Sequence, residues 1–256
     1  RLLVAFAFIS LIPLSPVFAD SAPSTIAKVF PATKSSLASK SLLLDISPLG
    51  KEKLVAVGEY GHILLSSDGD NWQQANVPLN ATLTSVYFLN DQLGWAVGHD
   101  ATILHSDDGG LNWKIQQYIP ALEKPLLDIY FKNEQQGIAV GAYGQVFRTI
   151  DGGSTWKSEF HQEFLLADDI DYINELKAED EMAYQDEISF ILPHFNRLVQ
   201  DDKTLFLLGE AGLMATSDDF GLSWQQFDNF YHGSFYTLGR TKNGSLLVAG
   251  LRGHVF

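Results

Sequence analysis

Short runs of hydrophobic residues, each closed by a glycine, recur along the chain. The first is Leu54-Val55-Ala56-Val57-Gly58, and its counterparts end at Gly98, Gly141, Gly209 and Gly250. Each run is followed or preceded by further short apolar segments between turn residues, which is the pattern of consecutive β-strands. In the second copy the predicted strands are Thr84–Leu89, Trp95–Gly98, Thr102–Ser106 and Trp113–Gln117. The pattern therefore predicts four short strands per repeat.

The closing glycines are spaced by 40, 43, 68 and 41 residues, so one interval is too long by about 26. A period of about 42 residues with four strands per unit is typical of a β-propeller blade. We therefore predict an all-β fold, a β-propeller of four-stranded blades with one insertion. Five repeats are represented and the last is cut at Phe256. Since propellers close with 4–8 blades, about two further blades are expected.

A second motif, Ser/Thr-x-Asp-x-Gly-x-x-Trp, follows the third strand of the repeat and is known as the Asp box. The carboxylate can accept hydrogen bonds from turn N–H groups, and the indole can cover the loop. The alternative role, catalytic carboxylates, requires a unique constellation, whereas a copy in every blade indicates architecture. The first copy is one residue shorter, which predicts a tighter turn. The Asp and Trp residues concerned are Asp68 and Trp72, Asp108 and Trp113, Asp151 and Trp156, and Asp219 and Trp224.

A Gly-x-x-Gly segment joins the second and third predicted strands, as at Gly58 and Gly61. Glycine suits a tight hairpin whose backbone visits positive φ, where a Cβ would clash. The second copy has Ala101 at the second glycine position, so its turn is expected to differ.

The insertion, residues 159–190, carries much of the acidic charge of the chain. Residues 159–187 contain eleven Asp and Glu against Lys177 alone. Phe164, Leu166, Ile170, Ile173 and Leu176 approximate helical spacing, which predicts an amphipathic helix from Gln162 to about Lys177. In one interpretation the apolar stripe of this helix packs on the propeller and its acidic face is solvated. In the other the helix forms an arm that docks a partner or attracts a cation. No Asp-x-Asp-x-Asp-Gly calcium loop is present.

Length and composition fit one propeller domain. The chain has 256 residues, 46% of them hydrophobic, a net charge of −14 and no cysteine. An acidic chain without a basic run does not match a nucleic-acid-binding footprint. Residues 1–19 have the pattern of a cleaved signal peptide, with a basic residue, an apolar stretch and small residues before Asp20. We therefore predict export, residues 20–40 as a linker, and residues 41–256 as the propeller.

The sequence gives little support for a catalytic signature. A sialidase needs three convergent arginines and a Tyr/Glu pair, and outside the predicted signal the arginines are Arg148, Arg197, Arg240 and Arg252. Arg148 lies within a repeat strand, so the other three would have to converge. A glycosidase needs two carboxylates at a fixed separation, which sequence does not give. The histidines lack metal-ligand spacing, and no nucleophile elbow or phosphate loop is present.

Segments 126–131 and 137–144, followed by the box at 151–156, resemble the photosystem II assembly/stability factor family of Asp-box propellers. Segments 194–196, 209–212, 232–235 and 250–253 are similar in particular to its relatives in non-photosynthetic bacteria. The resemblance implies a seven-bladed propeller of the thylakoid lumen or periplasm. It also implies chaperone-like, non-enzymatic binding of a membrane-protein precursor, without a cofactor. The acidic insertion and the scarcity of basic residues depart from the family pattern, so the client is open, with a membrane transporter component as one candidate.

The leading hypothesis is therefore an exported scaffold that binds a membrane-protein partner through loops at one face, and that is neither an enzyme nor a nucleic-acid binder. The hairpins between the second and third strands differ from blade to blade and could form a mixed rim. The candidate partner-binding residues are Tyr60, His99, Tyr143, Glu210 and Arg252. Their other interpretation is ordinary exposed turn residues. The alternative function is a glycan-active or glycan-binding Asp-box propeller.

Overall fold

The structure, a computed structural model, describes residues 29–256. The signal peptide predicted for residues 1–19 lies outside the described residues. Within the described residues, four four-stranded antiparallel sheets and one two-stranded sheet follow one another. Blade 1 contains β1 (Leu43–Leu49), β2 (Lys53–Gly58), β3 (Ile63–Ser66) and β4 (Gln73–Gln74). Blade 2 contains β5 (Leu83–Phe88), β6 (Gly94–Gly98), β7 (Thr102–Ser106) and β8 (Lys114–Gln117).

Blade 3 contains β9 (Leu126–Phe131), β10 (Gly137–Gly141), β11 (Val146–Thr149) and β12 (Lys157–Glu159). The insertion follows, with α1 (Ala167–Glu179) and α2 (Glu181–Ile188). Blade 4 contains β13 (Phe195–Asp201), β14 (Thr204–Gly209), β15 (Met214–Ser217) and β16 (Gln225–Gln226), and blade 5 contains β17 (Phe235–Arg240) and β18 (Leu246–Gly250). The prediction of four-stranded blades is confirmed, with strand bounds that differ by about one residue.

The sheets pack face to face because the second strand of each complete inner blade is apolar on both sides. Successive side chains of a strand point to opposite faces. Thus Trp95 and Val97 enter the core shared with blade 3, whereas Ala96 enters the core shared with blade 1. Likewise Leu205 and Leu207 face blade 3, while their neighbours face blade 5. The Gly-terminated apolar runs therefore mark strands that are buried on both faces.

The first strands of successive blades, β1, β5, β9, β13 and β17, contact one another and form the inner edge of the array. Within the described residues blade 5 has two named strands, and Val255 pairs with Ala249 in an isolated bridge at its edge. The expectation of about five represented blades agrees with this arrangement. A total of seven blades stays a prediction.

The connections of the strands lie on two opposite faces. In each blade the turn after the second strand donates a backbone N–H to the residue just before the first strand, as in Glu59 N to Leu42 O at 3.0 Å. These turns, residues 59–62, 99–101, 142–145, 210–213 and 251–254, define what we call the hairpin face. The Asp boxes lie on the other face, where Gly109 N donates to Gln92 O in the turn between the first two strands of blade 2.

Each Asp box is closed by its own side chains. In blade 3 the carboxylate of Asp151 accepts Thr155 N–H at 2.9 Å and the hydroxyls of Thr149 and Thr155 at 2.8 and 2.7 Å. These hydrogen bonds lower the pKa of Asp151 to about 2. In blade 1 the equivalent N–H comes from Asn71, three residues after Asp68 instead of four. The shorter copy therefore forms the tighter turn that its sequence predicts.

The insertion differs from its predicted form. The segment Gln162–Phe164 is a 3-10 turn, and α1 begins only at Ala167. Leu166, assigned to the apolar stripe, is 74% exposed. The helix starts late because the side chain of Phe164 is buried against Phe195, with ring centroids 5.0 Å apart. This contact holds the segment before Ala167 on the propeller.

The second helix, α2, was not predicted. Its cap is Asp180, whose carboxylate accepts the N–H groups of Met182 and Ala183 at 3.0 Å each. Such a cap satisfies N–H groups that have no partner within the helix. Ile173 and Tyr184 are buried in the core cluster shared by blades 3 and 4. The insertion thus packs on the propeller, the first of the two alternatives considered for its apolar stripe.

The described part of the predicted linker lies against blade 1. Ala32 N donates to Val77 O, and the Lys34 ammonium donates to Ala75 O at 2.7 Å. Ala38 is buried. Within residues 29–256, each helix is too short or too polar to cross a bilayer.

Candidate partner-binding face

The turns of the hairpin face share one backbone conformation. The first glycine is extended, with φ −174° at Gly58, and a Cβ there would collide with the carbonyl oxygen of Leu42. The second glycine has positive φ, 68° at Gly61. The residue between them is also left-handed although it carries a side chain, as in Tyr60 (φ 58°). The first position therefore requires glycine because the neighbouring backbone leaves no room for a Cβ, and the second favours glycine because its φ is positive.

The second blade keeps this turn without the second glycine. Asp100 and Ala101 have φ 60° and 48°, and Thr102 N donates to His99 O at 3.1 Å, as His62 N does to Glu59 O. The expectation that this turn differs is wrong. Ala101 is fully buried against blade 3, and this packing opposes the cost of left-handed backbone.

The five candidate rim residues all lie on the hairpin face, but the structure brings only two of them to one cavity. Tyr143 and Glu210 line a cavity of about 490 Å³ between the insertion and blade 4. Tyr60, His99 and Arg252 lie on the turns of blades 1, 2 and 5 and are not among its lining residues. The rim is thus a local groove rather than a complete circle of side chains.

Tyr143 belongs to an aromatic corner that the end of the insertion completes. Its ring makes edge contacts with Phe190 and His194, with centroids 5.2 and 4.6 Å away. The ammonium of Lys124 lies 3.7 Å from the centroid of Phe190 and donates to the carbonyl of Ser189. Burial lowers the pKa of Lys124. The insertion is therefore attached to the turn of blade 3 through aromatic and cation–π contacts.

Glu210 forms the opposite side of the same corner. Its carboxylate accepts the backbone N–H of His194 at 3.2 Å and lies 3.6 Å from the imidazole Nδ1 of that residue. His194 thus contacts both Tyr143 and Glu210 and fixes the chain where the insertion rejoins β13.

We call the cavity and its walls the seam groove. Its walls are largely apolar, and Leu166, Phe190 and Phe227 are exposed at its edge, at 74%, 60% and 46%. The carboxylates of Asp169 and Glu210 supply its charge. A concave apolar site of this volume with few polar groups is typical of ligand and peptide sites. The other lining residues are Phe164, Leu165, Ile191, Leu192, Pro193, Ala211, Gly212, Leu213, Met214, Gln226 and Asn229.

A buried charge cluster holds the start of the insertion. Arg148 donates to Glu159 at 2.7 Å and also to the carbonyls of Phe220 and Gly221 in the Asp box of blade 4. His161, which is buried, lies 2.9 Å from Glu163 through Nδ1 and 3.5 Å from Glu159 through Nε2. Burial opposes the charged imidazole, but the two neighbouring carboxylates, of which Glu163 is hydrogen-bonded to it, outweigh burial and raise the pKa of His161.

This cluster predicts a pH dependence of stability. The pKa of His161 is raised above its ordinary value of 6.5 in the folded protein. The ionised His161 therefore contributes fully to folding stability below pH 6.5, and this contribution is lost as the pH rises through the folded-state pKa. We expect His161→Gln to lower the melting temperature at pH 6 and to differ less from the parent at pH 8.5. Thermal unfolding of both proteins across this range tests it. A difference that is constant with pH would contradict the ionised His161 pair.

The inner strands carry a second polar cluster that connects four blades. Ser85 Oγ lies 2.9 Å from Asp45 Oδ2 and 2.7 Å from Asp128 Oδ1. Arg197 lies 3.5 Å from each of the two carboxylates. Backbone N–H groups of Val86 and Leu198 donate to Asp45 and Asp128 at 3.0 and 2.7 Å. The cluster thus joins β1, β5, β9 and β13.

The candidate arginines of a sialidase site are held apart. Arg197 pairs with Asp45 and Asp128 near the start of β13, whereas Arg240 pairs with Asp201 at the end of that strand. Arg252 lies on the turn after β18. The Asp-box carboxylates are likewise separate, since each is bonded within its own loop on the opposite face.

One segment of the chain is similar to known assembly factors. Residues 64–124 match the family model described as photosynthesis system II assembly factor YCF48. Over 54 residues the chain is 44% identical to the photosystem II assembly protein Ycf48 of Synechococcus sp. (strain JA-3-3Ab). The aligned segment covers 20% of this chain and 16% of that protein.

Solved structures show the same fold. A structure of YCF48 bound to a D1 peptide superposes with a TM-score of 0.58 and 19% identity, covering 83% of this chain and 63% of that one. A GH74 xyloglucanase from Xanthomonas campestris superposes with a TM-score of 0.53 and 12% identity, covering 80% and 34%. The propeller architecture is therefore shared with both assembly factors and glycoside hydrolases. Over residues 64–124 the chain is therefore similar to photosystem II assembly factors of the Ycf48 type.

Proposed function

We propose that the chain is a non-enzymatic exported scaffold that binds a membrane-protein client at its hairpin face. The observation that carries this proposal is the seam groove, an open apolar site between Tyr143 and Glu210 on the face where the turns vary between blades. The similarity to assembly factors supports it, as one of them is described as bound to a D1 peptide. The chain aligns with only 16% of the length of a curated relative, so the client of this protein is a separate question.

The carboxylates of the propeller support binding rather than catalysis. The Asp-box acids are occupied by turn N–H and hydroxyl groups, and Asp45 and Asp128 are occupied by Ser85, backbone amides and Arg197. A hydrolase acid or base must reach the substrate. The seam groove, by contrast, offers exposed aromatic and aliphatic side chains, which are typical of the centre of a protein interface.

A pull-down from detergent-solubilised membranes tests the proposal. We expect Tyr143→Ala combined with Arg252→Ala to reduce recovery of the same membrane protein several-fold, because both changes lie on the hairpin face. The matched control is Ile150→Ala combined with Leu222→Ala, which removes two exposed apolar side chains near Asp boxes (67% and 65% exposed). Equal recovery by both double variants would contradict the hairpin-face proposal.

A glycan-active protein would have to use the closely spaced carboxylate pair on the inner strands, Asp45 and Asp128, after displacing the groups that occupy it. Incubation with sialosides and β-glucans tests it. Turnover that copurifies with the protein and is lost in Asp45→Asn would replace the scaffold proposal.

Export is part of the same proposal. We expect the mature protein to begin at Asp20 and to be recovered from the periplasm, or from the thylakoid lumen in a phototroph. Mass spectrometry of the N-terminal peptide from fractionated cells checks this. An intact residue 1–19 segment in the cytoplasmic fraction would contradict export.

A further inference from the structure

We propose that the seam groove binds a short peptide segment of the client that carries apolar side chains flanked by Lys or Arg. This inference rests on the proposed function and specifies the chemistry of the partner at that site. Three features of the groove point to this chemistry: its shape, the exposure of its walls and the sign of the surrounding charge.

The shape favours side chains of an extended segment. The groove is open and about 490 Å³ in volume, and it runs between the first turn of α1, the end of the insertion and the blade 4 hairpin. Its floor is buried, with Phe164 and Leu213 below 10% exposure, whereas Leu166 and Phe190 stand exposed at its edges. Apolar side chains that enter would be covered on both sides, which is how a peptide gains affinity from a few anchors.

The floor and walls of the groove are also held in place by contacts within the chain. Phe164 packs on Phe195 and lies 6.3 Å from Trp224 between ring centroids. Tyr143 and Glu210 are both held by His194. A site whose walls are already ordered loses less conformational entropy when a partner binds.

Charge selects the flanks of the segment. Asp169 and Glu210 line the groove, and the helices beside it belong to a stretch with eleven acids and one lysine. The nearby cation, Lys124, is buried beneath Phe190 and is occupied by the carbonyl of Ser189. Like charges across an interface are destabilising and opposite charges increase the association rate. The surrounding charge therefore favours a basic segment and disfavours both an acidic one and an anionic lipid surface.

Three synthetic peptides test the inference by fluorescence anisotropy with the full chain. The first alternates Lys with Leu and Phe, the second replaces every Lys by Glu, and the third replaces every Leu and Phe by Ser. We expect the first to bind at least ten-fold more tightly than either analogue. Its affinity should fall several-fold between 50 and 300 mM salt, because exposed charges are screened. Equal binding of the acidic or the serine analogue would overturn the proposal.

Paired variants locate the site. Leu166→Ala with Phe190→Ala should weaken binding of the first peptide at least ten-fold, and Asp169→Asn with Glu210→Gln several-fold. The matched controls on the Asp-box face are Ile150→Ala with Leu222→Ala, and Asp70→Asn with Asp91→Asn. Circular dichroism and thermal unfolding establish that each variant is folded. If the groove variants bind like their controls, the segment docks elsewhere and the inference fails.

Other occupants give different outcomes. Self-association in sedimentation that Phe190→Ala abolishes would assign the groove to a second copy, and binding to phosphatidylserine vesicles would assign it to a membrane surface. Either result overturns the inference. If the basic peptide binds as expected but the membrane pull-down is insensitive to Tyr143→Ala with Arg252→Ala, the groove chemistry holds and the proposed function fails. If the basic peptide does not bind but the membrane pull-down is weakened by Tyr143→Ala with Arg252→Ala, the client binds the hairpin face by other chemistry and the inference fails.

Discussion

Replacing Trp113 by alanine is expected to lower the free energy of unfolding by about 3–5 kcal/mol. The indole is 5% exposed and packs in the core between blades 1 and 2, with its ring centroid 6.0 Å from that of Phe88. Its Nε1–H donates to Gly110 O at 2.9 Å, so truncation also leaves a buried carbonyl without its partner. Chemical denaturation followed by circular dichroism measures the loss.

The matched control is Trp72→Ala in the shorter box of blade 1. Trp72 donates the same type of hydrogen bond, to Gly69 O at 3.1 Å, but its side chain is only partly buried. We expect a loss of about 1–2 kcal/mol there, in proportion to the smaller apolar area that is buried. If the two substitutions cost the same, burial of the indole is not what stabilises the Asp box.

The second large effect is expected at Asp128, on the inner strands. Ser85 has one hydroxyl proton but lies within hydrogen-bond distance of two carboxylates, Asp45 and Asp128. One of the two contacts therefore needs a proton on the carboxyl group. Burial raises the pKa of Asp128 against the opposing charge of Arg197. We therefore predict that Asp128 carries this proton. In the predicted arrangement a protonated Asp128 would donate to Ser85, and Ser85 would donate to Asp45.

We expect Asp128→Ala to cost about 3 kcal/mol, because it leaves the Leu198 N–H without its partner and removes one of the two hydrogen bonds of Ser85 in a buried site. Asp128→Asn should cost less than about 1 kcal/mol, since an amide can donate to Ser85 and accept from Leu198. Urea unfolding of both variants separates the cases. If asparagine is as costly as alanine, Asp128 is ionised and its charge, rather than its proton, supports the cluster.

The blades were predictable because the same physical requirement recurs every 42 residues or so. Strands such as β6 and β14 are apolar on both faces, and the Asp box supplies its own hydrogen bonds within a few residues. Both signals are local, so they can be read without knowledge of the neighbouring blade. The late start of α1 was not predictable in this way, because it depends on Phe164 packing against Phe195.

The candidate site was predicted only in part. The variation of their turns points to Tyr143 and Glu210, yet the groove that they line is made by residues from five separate segments. Phe190, Phe227 and Lys124 were missed because no periodic pattern connects them. The inner cluster was missed for a related reason. Asp45, Ser85, Asp128 and Arg197 occupy equivalent positions in successive first strands but differ in type, and alignment of the repeats at that position is the signal that could have revealed them.

The place of the insertion has a consequence for how such a ring can diversify. The inner strands β9 and β13 contact each other as the other inner neighbours do, although the connection between them is far longer. Length at that junction is thus uncoupled from blade-to-blade spacing. The amino-acid composition of the connection does matter, because Phe164 covers the rings of Phe195 and Trp224. A foreign loop grafted between blades 3 and 4 would therefore be tolerated over a range of lengths, provided that it supplies an aromatic side chain in the position of Phe164 and apolar side chains for the rest of that core.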